Sequence, residues 1–477
     1  MRIREIRAYN SLIHFTNFSD AKNIIIFMIY SRDLFVILYS GVLFIMRRFI
    51  LFSFTLFLFL SSCTSSYSKI NIDGLTLEEC ITLALNNHPS LRSAKSSTRD
   101  LYAQLESIRA ANRVTVNLTG SLTHSGTYEH FDDRNNATSL RLEASKTLYD
   151  TGRNRLQQEM AKESIEGSLE SERNTKIQVA ANAKRAYYAL VLRFLNRDVE
   201  REKLRNSEEQ LKNAQGLYEV GNSPFVDVTK AQADVSSAKV SLMKAENDIL
   251  VYQEALRVAM GTDINGPFNI ALSTELILPQ TVDDDVNVLI SRALEDRPDY
   301  RKLQHDHRSN ELDIRNAARA SSPKITGSAG TSLSNSEKGN ASETYNFVVN
   351  MNVPVVDGGT MKASLESKRA ALERTEAAIE TLRQSLTYDI RKAVLELTNA
   401  IDMVKSSEIS VKYAEESLEL ERGRYEVGIG DPLSVSDAVS KLASARYVYY
   451  QALHDAQKAR TDLDEALGHF PPEANHD

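Results

Sequence analysis

The sequence is poor in the residues that define several protein classes. Its 477 residues include two cysteines (Cys63 and Cys80), ten prolines and no tryptophan. Two cysteines cannot build a disulfide framework, and no cysteine and histidine cluster has zinc-finger spacing. The net charge of −7, without a long basic run, argues against a nucleic-acid coat. Because prolines and glycines are few, we expect long uninterrupted helices.

Motifs of enzymes are also missing. No Gly-x-Ser-x-Gly elbow, His-Glu-x-x-His helix or glycine-rich phosphate loop after a strand occurs. His305 and His307 lie two residues apart, so on a helix they point to different sides and cannot share a metal. We expect both to be solvated, like the many Asp and Glu residues of the helices, and Cys80 to be packed in an apolar helix face. The sequence therefore predicts no enzyme activity, no metal site and no cofactor.

A secretory signal is predicted at residues 46–62. Met46-Arg47-Arg48 precede an apolar run that ends at Leu60, and at about 12 residues this run is shorter than a membrane-spanning helix. Leu60-Ser61-Ser62-Cys63 resembles a bacterial lipobox, in which Cys63 is acylated and becomes the first mature residue. A linker at 63–74 would follow. The alternative is a plain signal peptide with an incidental cysteine.

Residues 1–45 precede this signal, although secretory signals normally stand at the N-terminus. We expect translation to start at Met46 and residues 1–45 to be a mis-assigned extension. The alternative is an additional transmembrane anchor formed by the apolar stretch 24–45, which Arg32 and Asp33 interrupt.

The chain repeats itself once. Tyr218-Glu219-Val220-Gly221 recurs as Tyr425-Glu426-Val427-Gly428, an offset of 207 residues. Two further pairs share this offset, namely 148–152 with 355–359 and Met260-Gly261 with Leu467-Gly468. These matches predict two related units, 75–261 and 283–468. A linker at 262–282 would join them, and 469–477 would form a flexible tail.

Each unit contains one very long predicted helix. No proline interrupts 152–217 or its counterpart 359–425, so each would span roughly 100 Å at ~1.5 Å per residue. Two shorter helices stacked end to end would match that height, with a joint near 75–89 and 262–285. An apolar stripe with coiled-coil spacing marks the second long helix: Leu382, Leu386, Ile390, Val394, Leu397, Ile401 and Val404.

Four segments alternate between apolar and polar residues with period two. They are about 113–123, 139–148, 324–333 and 345–355, and polar loops at 124–138 and 334–344 join each pair. Alternating strands of about 10 residues are typical of transmembrane barrels. An ordinary soluble sheet with one wet face would alternate in the same way.

Four strands cannot close a barrel, and lipid tolerates no open strand edge. The chain must therefore oligomerise if the sheet is embedded in a membrane. Two copies would give eight strands, whose interior is filled by side chains. The polar inner face favours three copies, whose twelve strands begin to leave a water-filled lumen.

The two matched turns, the opening Leu75-Thr76-Leu77-Glu78-Glu79-Cys80 with Asn87-His88-Pro89, and Asp357-Gly358-Gly359 resemble the TolC-like outer-membrane factor family, that is, the outer membrane efflux proteins, here of the lipoprotein type. The resemblance implies an α+β membrane protein built from a duplicated helix-strand-strand-helix-helix unit. It implies a homotrimer with a 12-stranded outer-membrane β-barrel on a long periplasmic α-helical barrel.

The same resemblance implies a passive export duct of a tripartite efflux or type I secretion system. Its partners would be a periplasmic adaptor (membrane fusion) protein, an inner-membrane pump and outer-membrane lipid, with no nucleic acid. Two other functions stay open at this point, a soluble periplasmic coiled-coil structural protein and a general porin.

The helix tips would contact the adaptor. Glycine suits a helix reversal because it adopts φ > 0 cheaply, and proline suits the first helical turn. A purely structural helix hairpin would need the same residues. The resemblance assigns the contact to Tyr218, Gly221, Asn222 and Pro224 at the first tip and to Tyr425, Gly428, Asp431 and Pro432 at the second.

In this family, acidic residues just after the second tip narrow the closed end of the tunnel. The matching positions are Ser434 and Asp437, so one of two aspartates is missing, and Asp227 occupies the position of the first repeat that matches Ser434. Three copies of Asp437 would form a ring that favours cations. The alternative is a solvated aspartate that stabilises the start of its helix.

Overall fold

The computed structural model describes residues 73–127, 130–221, 223–262, 268–271, 277–280, 285–336, 341–427 and 429–469. The chain divides into two units, Met1–Ile70 and Asn71–Asp477, and the described residues all lie in the second. The predicted extension at 1–45, the signal at 46–62 and Cys63 therefore lie outside the described residues.

The described part alternates helices with two strand pairs. The elements follow one another as β1 (Asp73–Leu75), α1 (Leu77–Asn87), α2 (Pro89–Ala110), β2 (Thr115–Thr127), β3 (His130–Tyr149), α3 (Arg153–Glu219), α4 (Phe225–Met260), β4 (Asn269–Ile270), α5 (Val286–Asp296), α6 (Pro298–Ala318), β5 (Lys324–Ser336), β6 (Ser342–Asn352), α7 (Thr360–Glu426) and α8 (Pro432–Ala466).

Helices α3 and α7 are the longest elements, with 67 residues each, or about 100 Å. Both begin after a left-handed glycine and an aspartate that caps the new helix. Asp150 accepts the backbone N–H of Gly152 at 3.0 Å and of Asn154 at 2.8 Å. Asp357 accepts that of Gly359 at 3.1 Å. The same device therefore starts both long helices. No helix within the described residues combines the length and apolar character of a membrane crossing.

In each repeat, the shorter helices meet end to end at a joint, and the two joints match each other. At the end of α4, Gly261 (φ +64°) lies against the α1–α2 junction, where a Cβ atom would stand 2.7 Å from His88 Cα. At the end of α8, Gly468 (φ +72°) lies against the α5–α6 junction, 2.9 Å from Arg297 Cγ. Each stacked pair of helices thus closes where its glycine lets two backbones approach.

The main hydrophobic core lies around these joints. It joins the middle of α3 and α7 to α1, α5 and the ends of α4 and α8, beside the short parallel pair β1–β4. Cys80 is fully buried here, as expected, and burial, followed by the nearby charge of Glu79, raises the pKa of its thiol to about 12. The predicted stripe of α7 is confirmed, with buried side chains at Leu386, Ile390, Leu397, Ile401 and Val404.

The longer strands form one antiparallel sheet in the order β2-β3-β5-β6. One face carries the rows Val116–Ala144–Ala329–Phe347 and Leu118–Leu142–Thr331–Tyr345, and the other carries Asn117–Glu143–Gly330–Asn346 and Thr119–Arg141–Ser332–Thr344. The register therefore places most of the predicted apolar residues on one face. Both faces are exposed in the single chain.

The strand ends differ from the alternation pattern. β2 and β3 continue to Thr127 and from His130, through residues that we expected to form a loop. Backbone pairing continues there, and His124 Nδ1 lies 2.7 Å from the side-chain oxygen of Asn136. β6 ends at Asn352, before Pro354, since proline cannot donate to a ladder.

The expectation that His305 and His307 are solvated holds only in part, because both are half-buried and carboxylates of neighbouring helices reach them. His305 Nδ1 lies 2.8 Å from Glu163 of α3, and His307 Nε2 lies 3.3 Å from Glu376 of α7. The two rings do point to different sides, as the spacing predicts.

Candidate functional site at the helix tips

The first tip is a tight reversal between α3 and α4. Gly221 has φ +76° and donates its N–H to the carbonyl of Tyr218 at 3.0 Å. Pro224 precedes α4, and the rings of Tyr218 and Phe225 pack with centroids 5.5 Å apart. The turn is closed by local backbone and aromatic contacts. Asn222, predicted for adaptor contact, lies outside the described residues.

The second tip joins α7 to α8 with a different turn. The N–H of Ile429 donates to the carbonyl of Arg424 at 3.0 Å. A Cβ atom at Gly430 would lie 2.6 Å from the backbone nitrogen of Tyr425, so this position requires glycine. Asp431 caps α8 by accepting the N–H of Leu433 at 3.0 Å, and Pro432 is the first helical residue. Gly428 lies outside the described residues.

A cavity of about 50 Å³ separates the two tips. Asp227, Tyr425 and Asp431 line it, together with Asp234 of α4 and Ser436 of α8. The hydroxyl of Ser436 donates to Asp234 at 3.2 Å, so the hairpins are linked here. Burial, and then the negative charge of Asp227, raises the pKa of Tyr425.

The three aperture candidates occupy different environments. Asp227 is half-buried and accepts a hydrogen bond from the Ser223 hydroxyl at 2.6 Å. Ser434 is half-buried, and its N–H donates to the carbonyl of Asp431 at 3.0 Å. Asp437 is exposed on α8. The structure thus brings Asp227 to Tyr425 and leaves the Asp437 carboxylate in solvent.

Several apolar side chains at the tips are also exposed. Hydrophobic side chains that no part of the same chain covers mark contact surfaces when they cluster. They are Val220, Phe225 and Val226 at the first tip and Val427, Ile429 and Leu433 at the second.

Above the tips, a polar network joins the two hairpins, and we did not predict it. Arg446 of α8 pairs with Glu202 of α3 and with Glu415 of α7, the latter at 2.8 Å. Tyr447 donates to Glu200 at 2.6 Å. Burial, followed by Glu200, raises the pKa of Tyr447. Glu200 is buried, so the expectation that the helix carboxylates are all solvated is wrong.

The repeat offset could have found part of this network. Subtracting 207 from Arg446 and Glu415 gives Lys239 and Glu208, which also pair, at 3.9 Å. A charge pair that recurs at the offset of the repeat was therefore visible in the sequence. The third partner, Glu202, has no charged counterpart, since position 409 is isoleucine.

Comparisons with known proteins agree with this architecture. The probable outer membrane lipoprotein SilC of Salmonella typhimurium is 22% identical over 389 residues, covering 81% of this chain and 84% of SilC. The toluene efflux pump outer membrane protein TtgC of Pseudomonas putida is 24% identical over 403 residues, covering 82% of each chain. A solved structure of CusC, described as forming a transmembrane channel, has a TM-score of 0.71 at 20% identity and covers 83% of this chain and 92% of CusC.

The family model of the outer membrane efflux proteins matches two segments, 80–262 and 289–469. These segments contain the two hairpins, both strand pairs and both joints. The match confirms the resemblance stated from the motifs. The chain belongs to the outer membrane efflux protein family.

Proposed function

We propose that three copies of this chain join side by side into one closed duct, with a 12-stranded barrel in the outer membrane above a periplasmic helical tunnel. The protein is an efflux channel of the outer membrane and not an enzyme. It provides a passive path, and an inner-membrane pump coupled through a periplasmic adaptor supplies the energy. The observation that supports the trimer is that the same two sides of the chain stay open at every height.

The open sides follow from the order of neighbouring elements. In the sheet, β2 and β6 are the edge strands. In the upper helical layer the contacts run α2–α3–α6–α7, and in the lower layer they run α4–α3–α8–α7. One side therefore always belongs to the first repeat, and the other is always β6 or α7. Copies that join one side to the other form a ring when their rotation closes.

The internal repeat supplies a template for this contact. The 207-residue offset relates α8 to α4 and α3 to α7. Within the chain α8 packs on α3. In the trimer, α4 of one copy packs on α7 of the next in the same way.

Exposure at matched positions supports this template. Tyr188 of α3 is 7% exposed, whereas its counterpart Leu395 of α7 is 70% exposed. Asn206 is 4% exposed and its counterpart Tyr413 is 65% exposed. Large hydrophobic side chains of α7 are thus exposed to solvent at positions where the matching side chains of α3 are buried. The facing helix α4 exposes a similar apolar set, Val240, Met243, Leu250, Val251 and Val258.

The sheet closes in the same association. β6 of one copy pairs with β2 of the next, so that no strand edge faces lipid. The face with Leu118, Leu142 and Phe347 contacts the hydrocarbon, and the hydroxyl-rich face lines a water-filled lumen.

A cysteine pair placed by the template tests the trimer. Val199 of α3 and Ala443 of α8 line one narrow cavity, and their counterparts, Ser406 of α7 and Ser236 of α4, are both exposed. Oxidation of a chain carrying Ser236→Cys and Ser406→Cys in outer membranes should yield a covalent trimer on non-reducing gels. A disulfide needs Cβ atoms about 3.8 Å apart, so it forms only if the two matched positions meet across the interface between copies.

The control pairs Ser236→Cys with Glu408→Cys. Arg201, the counterpart of Glu408, pairs with Asp198 of its own helix, so this combination should not cross-link and should run as a monomer on the same gels. Equal cross-linking of both combinations, or monomer alone from the test pair, would contradict the proposed contact.

The predicted export signal and the lipid anchor at Cys63 are also proposed. Residues 46–62 direct export, and acylation of Cys63 anchors the mature chain, whose repeats span 75–261 and 283–468. The lipobox-like residues support this, as does the description of the relative SilC as an outer membrane lipoprotein. Incorporation of an alkyne-labelled palmitate should be lost in Cys63→Ser and kept in Cys80→Ser.

The tips meet the adaptor through the exposed apolar residues around Gly221 and Gly428. A Val226→Asp, Ile429→Asp double variant should still form trimers, because both side chains are exposed in the single chain. It should lose co-purification with the adaptor and the efflux phenotype. Retained co-purification would remove the tips from the adaptor interface.

Three Asp437 carboxylates line the aperture of the tunnel. Asp437 is exposed in the single chain, so Asp437→Ala should leave the trimer intact. In planar bilayers the variant should be less sensitive to block by divalent cations. Unchanged conductance and block would leave Asp437 as a helix-start residue only.

A further inference from the structure

The hydroxyl-rich face of the sheet carries one ion pair near the middle of its height. Arg141 Nε lies 3.1 Å from Glu143 Oε2, and both side chains are partly exposed. Both residues belong to β3, two positions apart, so they share a face. The apolar row that contains Leu118 and Leu142 lies between them on the opposite face. The pair therefore stands at the height of the apolar band.

The surroundings of this pair are neutral. In the described rows from Thr115 to Ser121 and their partners on β3, β5 and β6, Arg141 and Glu143 are the only charged residues on this face. The others are Thr115, Asn117, Thr119, Ser121, Ser139, Ser145, Ser328, Gly330, Ser332, Ser334, Ser342, Thr344, Asn346 and Val348.

The neighbouring strand places no side chain directly opposite Glu143. Gly330 lies opposite Glu143 in the register, and a Cβ atom there would meet the Asn346 side-chain oxygen at 3.3 Å. No side chain of β5 therefore separates Glu143 from the amide of Asn346. Both charged side chains are partly exposed in the single chain.

We propose that Arg141 and Glu143 form a charge-balanced belt that keeps the barrel lumen open to solutes of either charge. The inference rests on the proposed trimer, which would bring three such pairs around one lumen. Rings of one sign make a pore selective, because they attract ions of opposite charge and repel the others. Paired charges of opposite sign cancel at a distance. Removing one partner would convert the belt into a selective ring.

A local chemical probe tests this without interference from the narrow lower end. Thr119 faces Arg141 in the register, so Thr119→Cys reports the potential at the belt. The measurement is the ratio of reaction rates with a cationic and an anionic methanethiosulfonate of similar size, added outside to outer-membrane vesicles. The chain without this cysteine is the blank, since Cys80 is fully buried.

In the Thr119→Cys chain, Arg141→Gln should raise the cationic-to-anionic rate ratio by about threefold or more, and Glu143→Gln should lower it by a similar factor. The double variant should return toward the parent ratio. Lys146→Gln is the matched control, because Lys146 is exposed on the same strand but on the opposite face. It should leave the ratio unchanged.

Two results would overturn the inference. A ratio that Arg141→Gln and Glu143→Gln do not move in opposite directions would show that the pair does not set the lumen potential. A reactive Leu118→Cys with an unreactive Thr119→Cys would show that the faces are reversed. That outcome would overturn the barrel proposed above, and the belt with it, whereas the first would leave the barrel intact.

Discussion

The two hairpins have nearly the same dimensions but different interiors near their tips. Helices α3 and α7 have 67 residues each, and α4 and α8 have 36 and 35. The α7–α8 hairpin buries larger side chains, namely Leu418, Val435, Ala438, Val439 and Leu442. The α3–α4 hairpin buries Ala214, Val228 and Ala231. The second hairpin thus has more apolar surface of its own to hold its lower end.

The second hairpin also has the closer of the two matched charge pairs. Lys239 and Glu208 lie 3.9 Å apart and are both largely exposed. The matched Arg446 and Glu415 lie 2.8 Å apart, and Arg446 also reaches Glu202 of α3. The reason is that α8 has a neighbour within the chain on this side, whereas α4 has an open surface. Duplication therefore gives similar elements unequal surroundings, and α4 is the less covered copy.

The largest expected difference comes from the hairpin cores. Leu442→Ala should lower the free energy of unfolding by about 2–5 kcal/mol, because a buried leucine leaves a cavity. The matched residue, Val235, is also buried, but Val235→Ala removes a smaller side chain and should cost about 1–2 kcal/mol. Denaturant titration of both purified variants measures the difference. Equal losses would mean that the two cores contribute alike.

The second-largest difference in stability is expected between substitutions at the two joints. Gly261→Ala should cost about 2–3 kcal/mol, since its Cβ would meet the His88 backbone in a left-handed conformation. Gly468→Ala should cost about 1–2 kcal/mol, because the nearest atom is Arg297 Cγ and the Arg297 backbone stays farther away, with its Cα at 3.2 Å. Thermal unfolding of the two variants compares them, and a larger loss for Gly468→Ala would reverse this ranking.

The charge pairs should give a smaller effect. Arg446→Gln should cost about 1–2 kcal/mol, because it leaves Glu202 and Glu415 without their shared partner. Lys239→Gln should change stability by less than about 0.5 kcal/mol, as expected for an exposed pair. The denaturation midpoints of the two variants are the readout. A Lys239→Gln loss as large as that of Arg446→Gln would show that its exposed pair is covered in the assembly.

The smallest effect depends on pH and has no counterpart in the first hairpin, where Val240 replaces Tyr447. Burial and Glu200 raise the pKa of Tyr447 above the ordinary tyrosine value of 10.0. Its contribution to stability is therefore complete below pH 10 and is lost as the pH rises through the folded-state pKa. Tyr447→Phe should cost about 1 kcal/mol at neutral pH and reduce the loss of stability in alkali. Parallel pH curves for both proteins would contradict this.

Periodicity and repetition predicted the framework because both can be read from the order of residues alone. The apolar stripe from Leu386 to Val404 and the recurrence of Gly261 as Gly468 could be found without coordinates. That these glycines close the joints could not. The surroundings of single polar residues could not. Glu200 and His305 sit in helix stretches rich in charge, and only the packing of α8 and α3 against them shows that Glu200 is buried and His305 half-buried. Strand ends were also missed, because pairing between His124 and Asn136 does not depend on apolar alternation.

The long unbroken helices have a mechanical consequence. Leu190 of α3 is fully buried in the central core, and the helix continues without interruption to Glu219. That segment is a lever arm of about 44 Å, so tilting it by about 5° displaces its lower end by about 4 Å. A change in core packing too small to break any helix is therefore amplified into a displacement as wide as a side chain at the tip of the hairpin.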